Sequence, residues 1–184
     1  MPNLTGARAK QRVFLALVLS TLTLAVACLA GRVDADPGGI LPSSLHVTGP
    51  DEPGTPLVLS ALVLAPSGGA PVPGVRLRLY QTDASGHYRR GPFGWELGQA
   101  RARLGAWLAT DAEGRFEVRT ILPGGYDDGE TPAHIHVECA AAGFPVQEHT
   151  LYFEGDERIT DGLRRAVLAD GRGAVVPLER GTDG

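Results

Sequence analysis

The sequence predicts an all-β protein, a β-sandwich with little helix. Its apolar residues fall in short runs bounded by Gly, Pro or Asp, and one run, residues 75–81, alternates apolar and polar side chains as a half-buried strand does. No long segment has the 3.6-residue period of an amphipathic helix. Short strands with frequent turns favour a sandwich over a helical or βαβ fold.

The predicted strands follow one another from Leu57 onwards. LVLSALVLA (57–65) is apolar enough for a buried strand, and VRLRLYQ (75–81) has the alternation of a half-buried one. A short helix is predicted within residues 157–169. The remaining strands are AWLAT (106–110) and RFEVRT (115–120), joined by the turn DAEG, and then HIHVEC (134–139), HTLYF (149–153) and AVVPLE (174–179).

Residues 1–30 have the pattern of an export signal. Three basic residues precede the apolar run Val13–Ala30, and no carboxylate precedes Asp34. A basic start, an apolar stretch and small-residue exits such as AVA or CLA are typical of a secretory signal peptide and predict a secreted or extracytoplasmic protein. An uncleaved membrane anchor is the alternative, because the run of 18 residues approaches the length of a bilayer span. Cys28, after LAVA, is a weak match to a lipoprotein box.

The rest of the chain is expected to be a flexible arm over residues 31–56 and one domain over residues 57–184, because the arm is rich in Gly, Pro, Asp and Ser. Without residues 1–27 the chain has 14 arginines against 21 acidic residues, a formal net charge of −7. This charge argues against nucleic acid as a partner, and against a membrane except through the N-terminal segment. Cys139 is the one cysteine beyond that segment, so a hydrophobic core rather than a disulfide framework must stabilise the domain.

Two histidines and two tyrosines are candidate metal ligands. His134 and His136 stand two residues apart in a predicted strand, so their side chains project from one face, although such a pair alone is more often an ordinary polar strand face. Tyr126 follows a Pro-Gly-Gly turn just before that strand, and Tyr88 ends the turn segment QTDASGHY. Phenolate suits a highly charged ion such as ferric iron, and imidazole suits many transition metals. Without a third histidine or a carboxylate, the set does not match ordinary catalytic zinc or the ferrous two-histidine, one-carboxylate site.

Four segments in order resemble the intradiol ring-cleavage dioxygenases, the family of catechol- and protocatechuate-cleaving enzymes, and are nearest to its small secreted branch. The resemblance covers residues 57–156. The segments are APSGGAPVPGVRLRLYQTDASGHYRR and AWLATDAEGRFEVRTILPGGY, each with a ligand tyrosine at or near its end, then PAHIHV, and finally LYFEGD.

The resemblance implies a mononuclear non-haem Fe(III) site with the ligands Tyr88, Tyr126, His134 and His136. It also implies that the substrates are a small aromatic diol and O₂, with the ring cleaved between its two oxygenated carbons to a muconate-type dicarboxylate. In the family, the tyrosine that matches Tyr126 leaves the metal and takes up a substrate proton, which gives Tyr126 a catalytic role.

Two positions depart from the family's pattern. The cleaving enzymes usually carry an arginine where this chain has Thr131 and a glutamine where it has Thr150. Thr131 and Thr150 are therefore candidates for the substrate pocket, and Arg89, Arg90 and Arg119 are candidates to supply the missing positive charge. The departures also favour an alternative function, a β-sandwich that binds metal or ligand without cleaving a ring.

A zinc or copper site that reuses the two histidines is a further alternative. His87 is expected at the surface, and His149 at a solvated edge, with a place in the lining of the pocket as the alternative.

Overall fold

The structure, a computed structural model, describes residues 11–18, 37–66, 69–89 and 102–180, which form two five-stranded sheets packed face to face. The all-β sandwich prediction is confirmed. The strands are β1 (Gln11–Val18), β2 (Ser44–His46), β3 (Pro56–Leu64), β4 (Arg76–Gln81), β5 (Leu104–Ala109), β6 (Arg115–Ile121), β7 (His134–Ala140), β8 (Gln147–Phe153), β9 (Gly173–Val176) and β10 (Glu179–Arg180), and one helix, α1 (Asp161–Asp170), lies between β8 and β9.

The sheet order places β7, the strand with the two histidines, at the centre of its sheet. The first sheet has the order β10-β1-β3-β6-β2 and the second has β5-β4-β7-β8-β9. β7 is antiparallel to both neighbours, β4 and β8. A central strand has both edges hydrogen-bonded, so its side chains are held in a fixed register.

Strand alternation decides which residues of β7 fill the core. Ile135, Val137 and Cys139 are all 0% exposed between the sheets. Neighbouring residues of a strand face opposite sides, so His134 and His136 lie on the outer face of the second sheet. A one-residue slip in register would put the histidines in the core and the three core residues outside. Burial also raises the pKa of the Cys139 thiol to about 12, so this cysteine is a core residue rather than a nucleophile.

β1 is an unexpected strand, because its residues fall within the predicted signal or anchor. It pairs in parallel with β3 along its whole length, and Val13 is 1% exposed in the core. The rest of the apolar run, with Cys28, lies outside the described residues. No helix in the described ranges is both long and apolar enough to cross a membrane. Export stays a prediction, and cleavage after Ala27 or Ala30 would remove β1 from the sheet.

Part of the arm predicted over residues 31–56 is docked against the sheets. Three of its residues form β2, which pairs in parallel with β6. The carbonyl oxygen of Pro42 accepts the Ala109 N–H at 3.0 Å, and that of Ser43 accepts the Glu117 N–H at 2.8 Å. Composition missed these bonds because they use only backbone groups, which any residue type supplies.

The helix α1 begins and ends with standard capping residues. Thr160 precedes it and accepts the Leu163 N–H through its hydroxyl at 3.1 Å. Gly171 ends it with a φ of 66°, in the left-handed region that favours glycine. Val167 is the residue of the helix that is buried. The helix packs against β9, the edge strand of the second sheet.

His149 is a buried histidine, which contradicts the solvated position expected for it. It faces the core from β8, is 4% exposed, and its Nε2 has no hydrogen-bond partner among the described residues. Burial lowers the pKa of His149, and the charge of Arg172 lowers it further. The imidazole is therefore held neutral in the folded protein.

We expect His149→Leu to make folding of the metal-free protein less sensitive to acid. The unfolded histidine takes up a proton below its ordinary pKa of 6.5, whereas the folded one resists it, so His149 lowers the free energy of unfolding as the pH falls below that value. Denaturant titrations at about pH 7.5 and about pH 5.5 measure the loss. His46→Leu, at an exposed histidine, should lose as much stability as the wild type. An equal loss in His149→Leu and the wild type would contradict the prediction.

Candidate metal centre

The two histidines project from the outer face of β7, between side chains of the neighbouring strands. His136 pairs with Tyr80 of β4 on one side and with Thr150 of β8 on the other. His134 is 6% exposed, and His136 is half-buried. The register therefore holds both rings on one face, as the spacing predicts.

Tyr88 follows β4 through a turn held by the Asp83 carboxylate. One oxygen of Asp83 accepts hydrogen bonds from the backbone N–H groups of Ser85 and His87 and from the Ser85 hydroxyl, at 2.9, 3.1 and 2.6 Å. Burial opposes ionisation of this carboxyl, but these bonds and one from an arginine side chain outweigh it and hold the pKa of Asp83 well below its usual range. The turn is thus organised by a carboxylate that stays ionised at neutral pH.

Tyr126 lies in a second turn that packs against the first, backbone to backbone. A Cβ atom on Gly86, which has a φ of 84°, would lie 2.0 Å from the carbonyl oxygen of Gly125. Only glycine permits this approach. The Tyr126 N–H donates to the carbonyl oxygen of Thr131 at 3.1 Å, which ties the second turn to the start of β7.

The packed turns bring the two phenols to the two imidazoles. The hydroxyl oxygens of Tyr88 and Tyr126 are 2.6 Å apart. The Tyr126 hydroxyl is 3.1 Å from Nε2 of His134, and that atom is 3.1 Å from Nε2 of His136. Four potential metal donors, from three separate segments of the chain, therefore converge on one point.

The hydrogen bonds at the far side of each ring direct both Nε2 atoms at that point. Nδ1 of His134 is 2.8 Å from the carbonyl oxygen of Pro132, and Nδ1 of His136 is 3.0 Å from a carboxylate oxygen of Glu148. Both oxygens can only accept, so each Nδ1 carries the proton. Burial lowers the pKa of His134 to about 4, so its ring is neutral at pH 7.

The two Nε2 atoms face each other at 3.1 Å, each on the side of its ring away from the Nδ1 contact. A cation bound at this point would have both nitrogen atoms and the Tyr126 oxygen within reach as ligands. This feature is the structural evidence that the residues present fit a metal ion. The sequence suggested the pair, and the structure places both Nε2 atoms beside the Tyr126 hydroxyl.

Burial raises the pKa of both phenols, whereas it lowers the pKa of the His134 imidazole. Burial raises the pKa of Tyr88, and the hydrogen bond with Tyr126 raises it further. Burial also raises the pKa of Tyr126, partly offset by its bond with Tyr88. Neither phenol is ionised at neutral pH by the protein alone, so a bound metal must displace both protons to gain phenolate ligands.

Thr131 and Thr150, the candidates for the substrate pocket, lie in different surroundings. Thr131 is held within its own turn, where its hydroxyl donates to the Asp128 carboxylate at 2.6 Å. Thr150 is half-buried on β8 beside His136, on the same face as the four donors. Thr150 is therefore the better placed of the two to contact a molecule bound there.

The described arginine candidates for the missing charge are engaged elsewhere. Arg89 donates to the Asp83 carboxylate at 2.8 Å, Arg119 lies on β6 in the first sheet, and Arg90 is outside the described residues. Arg158 was not expected near the site from the sequence. Its guanidinium lies against the backbone of Gly125 and donates to the carbonyl oxygen of Thr131 at 3.3 Å. Arg158 thus links the second turn to the segment after β8.

Sequence analysis also missed the acidic residue behind His136. Glu148 stands two positions before Thr150 on the same face of β8, so strand alternation would have placed it near the histidines. Its contact with the imidazole could not be read from the sequence, because it depends on the register of β7 against β8.

The comparisons with known proteins decide the family. The dioxygenase family model matches residues 42–176 of this chain. The chain belongs to the intradiol ring-cleavage dioxygenase family. The match includes all four converging donors and begins before Leu57, in agreement with the docked arm.

The similar curated proteins of this family are much longer than the aligned region. The chain is 30% identical to the 6-chlorohydroxyquinol 1,2-dioxygenase of Cupriavidus pinatubonensis over 122 residues. This alignment covers 55% of this chain and 43% of the relative. It is 29% identical to catechol 1,2-dioxygenase 1 of Acinetobacter lwoffii over 134 residues. That alignment covers 64% of this chain and 42% of the relative. The chain thus spans less than half the length of each.

Solved structures show the same core. The dioxygenase domain of a dioxygenase carbohydrate-binding protein fusion from Streptomyces sp. SirexAA-E is 31% identical, with a TM-score of 0.51 over 67% of this chain and 71% of that one. Catechol 1,2-dioxygenase from Pseudomonas arvilla C-1 is 25% identical, with a TM-score of 0.53 over 67% of this chain and 44% of that one. Intradiol dioxygenases are non-haem iron enzymes, and the donor set described above fits that metal.

Proposed function

We propose that this protein is a ferric intradiol dioxygenase that uses O₂ to cleave the ring of a catecholic aromatic to a muconate-type dicarboxylate. The observation that carries the proposal is the convergence of two phenol oxygens and two imidazole Nε2 atoms, each within 3.1 Å of another member of the set. Tyr88, Tyr126, His134 and His136 would hold the iron. Ferric iron, when bound, supplies a Lewis acid that withdraws electron density from a coordinated diol.

The residues of this chain would bind the diol, orient it and accept a proton from it. Both phenols are half-buried, and the family resemblance assigns the role of proton acceptor to Tyr126. Its oxygen would take a proton from a diol hydroxyl. The backbone of Tyr88 is held by the Arg103 N–H, which donates to its carbonyl oxygen at 2.9 Å.

A metal- or ligand-binding module that has lost ring cleavage is the second candidate function. Thr131 and Thr150 favour it, because the family's cleaving enzymes usually carry an arginine and a glutamine there. A cation that faces developing negative charge contributes on the order of 10²–10³ to the rate, so its loss would leave a metal site with little activity.

Oxygen uptake by the iron-loaded protein separates the two functions. We expect iron-dependent O₂ consumption with catechol or hydroxyquinol and a muconate-type product by mass spectrometry. Iron binding without O₂ uptake on either diol would support the binding module. A protein that binds zinc or copper but not iron would overturn both the dioxygenase and the ferric site.

We further propose that the protein is exported. The charge and hydropathy pattern of residues 1–30 supports this proposal. Mass measurement of the full chain expressed in an exporting bacterial host tests it, since a cleaved signal gives a product that begins after Ala27 or Ala30. A lipid adduct on Cys28 would indicate tethering, and an intact mass in the cytoplasm would contradict export.

A further inference from the structure

Glu148 and His136 form a carboxylate–imidazole pair on the outer face of the second sheet. In the ladder between β7 and β8, Thr150 is opposite His136, and Glu148 stands two residues along on the same face. This diagonal position is within reach of a long side chain. The Glu148 carboxylate oxygen lies 3.0 Å from Nδ1 of His136 and 3.5 Å from the Tyr80 hydroxyl.

Tyr80 fixes the plane of the same imidazole. Its ring stacks on that of His136, with the centroids 4.6 Å apart and the planes at 14°. Tyr80 is itself 5% exposed, and the guanidinium of Arg78 lies 5.6 Å from its ring centroid. Arg78 is held by a buried salt bridge to Glu138. Stacking fixes the ring plane but allows a 180° flip about χ2, and the hydrogen bond from Nδ1 to Glu148 opposes that flip.

The two histidines differ in what their Nδ1 atoms bind. His134 donates to a neutral backbone carbonyl, that of Pro132, whereas His136 donates to a carboxylate. A carboxylate behind an imidazole fixes the tautomer and makes the opposite nitrogen a stronger donor to a metal. The pair therefore points to unequal roles for two histidines that look equivalent in the sequence.

We propose that Glu148 is a positioning residue that holds His136 in the Nδ1–H tautomer, with the Nε2 lone pair directed at the metal position. The proposal rests on the proposed iron site for its consequence but not for its geometry. Loss of such a partner typically lowers metal affinity by about 10- to 100-fold.

The test compares Glu148→Leu and Glu148→Gln with the wild type. Glutamine keeps an oxygen that can accept from Nδ1, whereas leucine has no acceptor. Glu154→Leu is the matched control, since Glu154 is also a carboxylate next to the same sheet but pairs with the exposed Arg164. Thermal unfolding of each metal-free protein identifies a variant that does not fold, and Glu148→Gln keeps the test valid if the leucine variant fails.

Two readouts are needed. In metal-free protein at about pH 8, where an ordinary histidine is neutral, ¹⁵N NMR of His136 should show the Nδ1–H tautomer in the wild type, in Glu148→Gln and in Glu154→Leu. The preference should be lost in Glu148→Leu. Competition with a chelator should show ferric affinity about 10- to 100-fold lower in Glu148→Leu, less reduced in Glu148→Gln and unchanged in the control.

Unchanged tautomer and ferric affinity in Glu148→Leu would overturn the positioning role. Failure of the wild type to bind ferric iron would overturn the proposed function instead, and the tautomer measurement would still decide the role of Glu148.

Discussion

Gly86→Ala is expected to fold but to distort the metal site. The added Cβ would lie 2.0 Å from the carbonyl oxygen of Gly125, a backbone atom that cannot rotate away, so the two turns must move apart by about 1 Å. Gly86 lies two residues before Tyr88, and Gly125 immediately precedes Tyr126. The separation would therefore pull apart the two phenol oxygens that are now 2.6 Å from each other.

A displacement of this size at reacting groups costs on the order of 10²-fold in activity. We expect a comparable loss in diol-dependent O₂ uptake, together with weaker ferric binding in a chelator competition.

Gly143→Ala is the matched control for this change. Gly143 has a φ of 82°, nearly the same as the 84° of Gly86, but no atom lies within 4 Å of its added Cβ. Both variants carry the backbone strain of a left-handed alanine, about 1 kcal/mol, and only Gly86→Ala adds the clash. Wild-type ferric affinity in Gly86→Ala would show that the contact between the turns does not set the geometry of the phenols.

Tyr126→Phe is expected to retain some ferric binding but to lose ring cleavage. Removal of the hydroxyl takes away one phenolate donor and the group suited to accept the substrate proton, so turnover should fall by about 10²-fold or more. The tyrosinate charge-transfer band should weaken and shift, since Tyr88 alone remains to produce it. The double variant Tyr88→Phe and Tyr126→Phe should have no such band.

Tyr152→Phe serves as the spectroscopic comparison. Tyr152 packs near His134, with ring centroids 5.7 Å apart, but its hydroxyl is not among the converging donors. The band should therefore keep its position in Tyr152→Phe. An unchanged band in Tyr126→Phe would show that the assignment of this ligand is wrong.

The central strands of the fold were predictable because side-chain pattern encodes them. The strands around residues 57–65, 75–81 and 134–139 appear within a residue or two of their predicted bounds, since a strand with one buried face needs an alternating or continuous apolar sequence. β2 was missed because its pairing relies on backbone bonds alone. β1 was missed because its apolar sequence is equally typical of an export signal.

The candidate site was predictable in its ligand types but not in its supporting contacts. His134 and His136 could be placed on one face from their spacing, and the family resemblance added Tyr88 and Tyr126. The contact between Gly86 and Gly125 joins segments far apart in the chain, so no local pattern reveals it. His149 was misplaced because a polar residue in a strand of alternating burial is expected to face solvent, whereas the register turns it into the core.

The most direct test of the ferric site is the metal content and visible spectrum of the purified wild-type protein after reconstitution with iron. We expect about one iron per chain and a broad red-brown charge-transfer band from tyrosinate bound to ferric iron. A colourless protein that contains no iron after reconstitution would contradict this expectation.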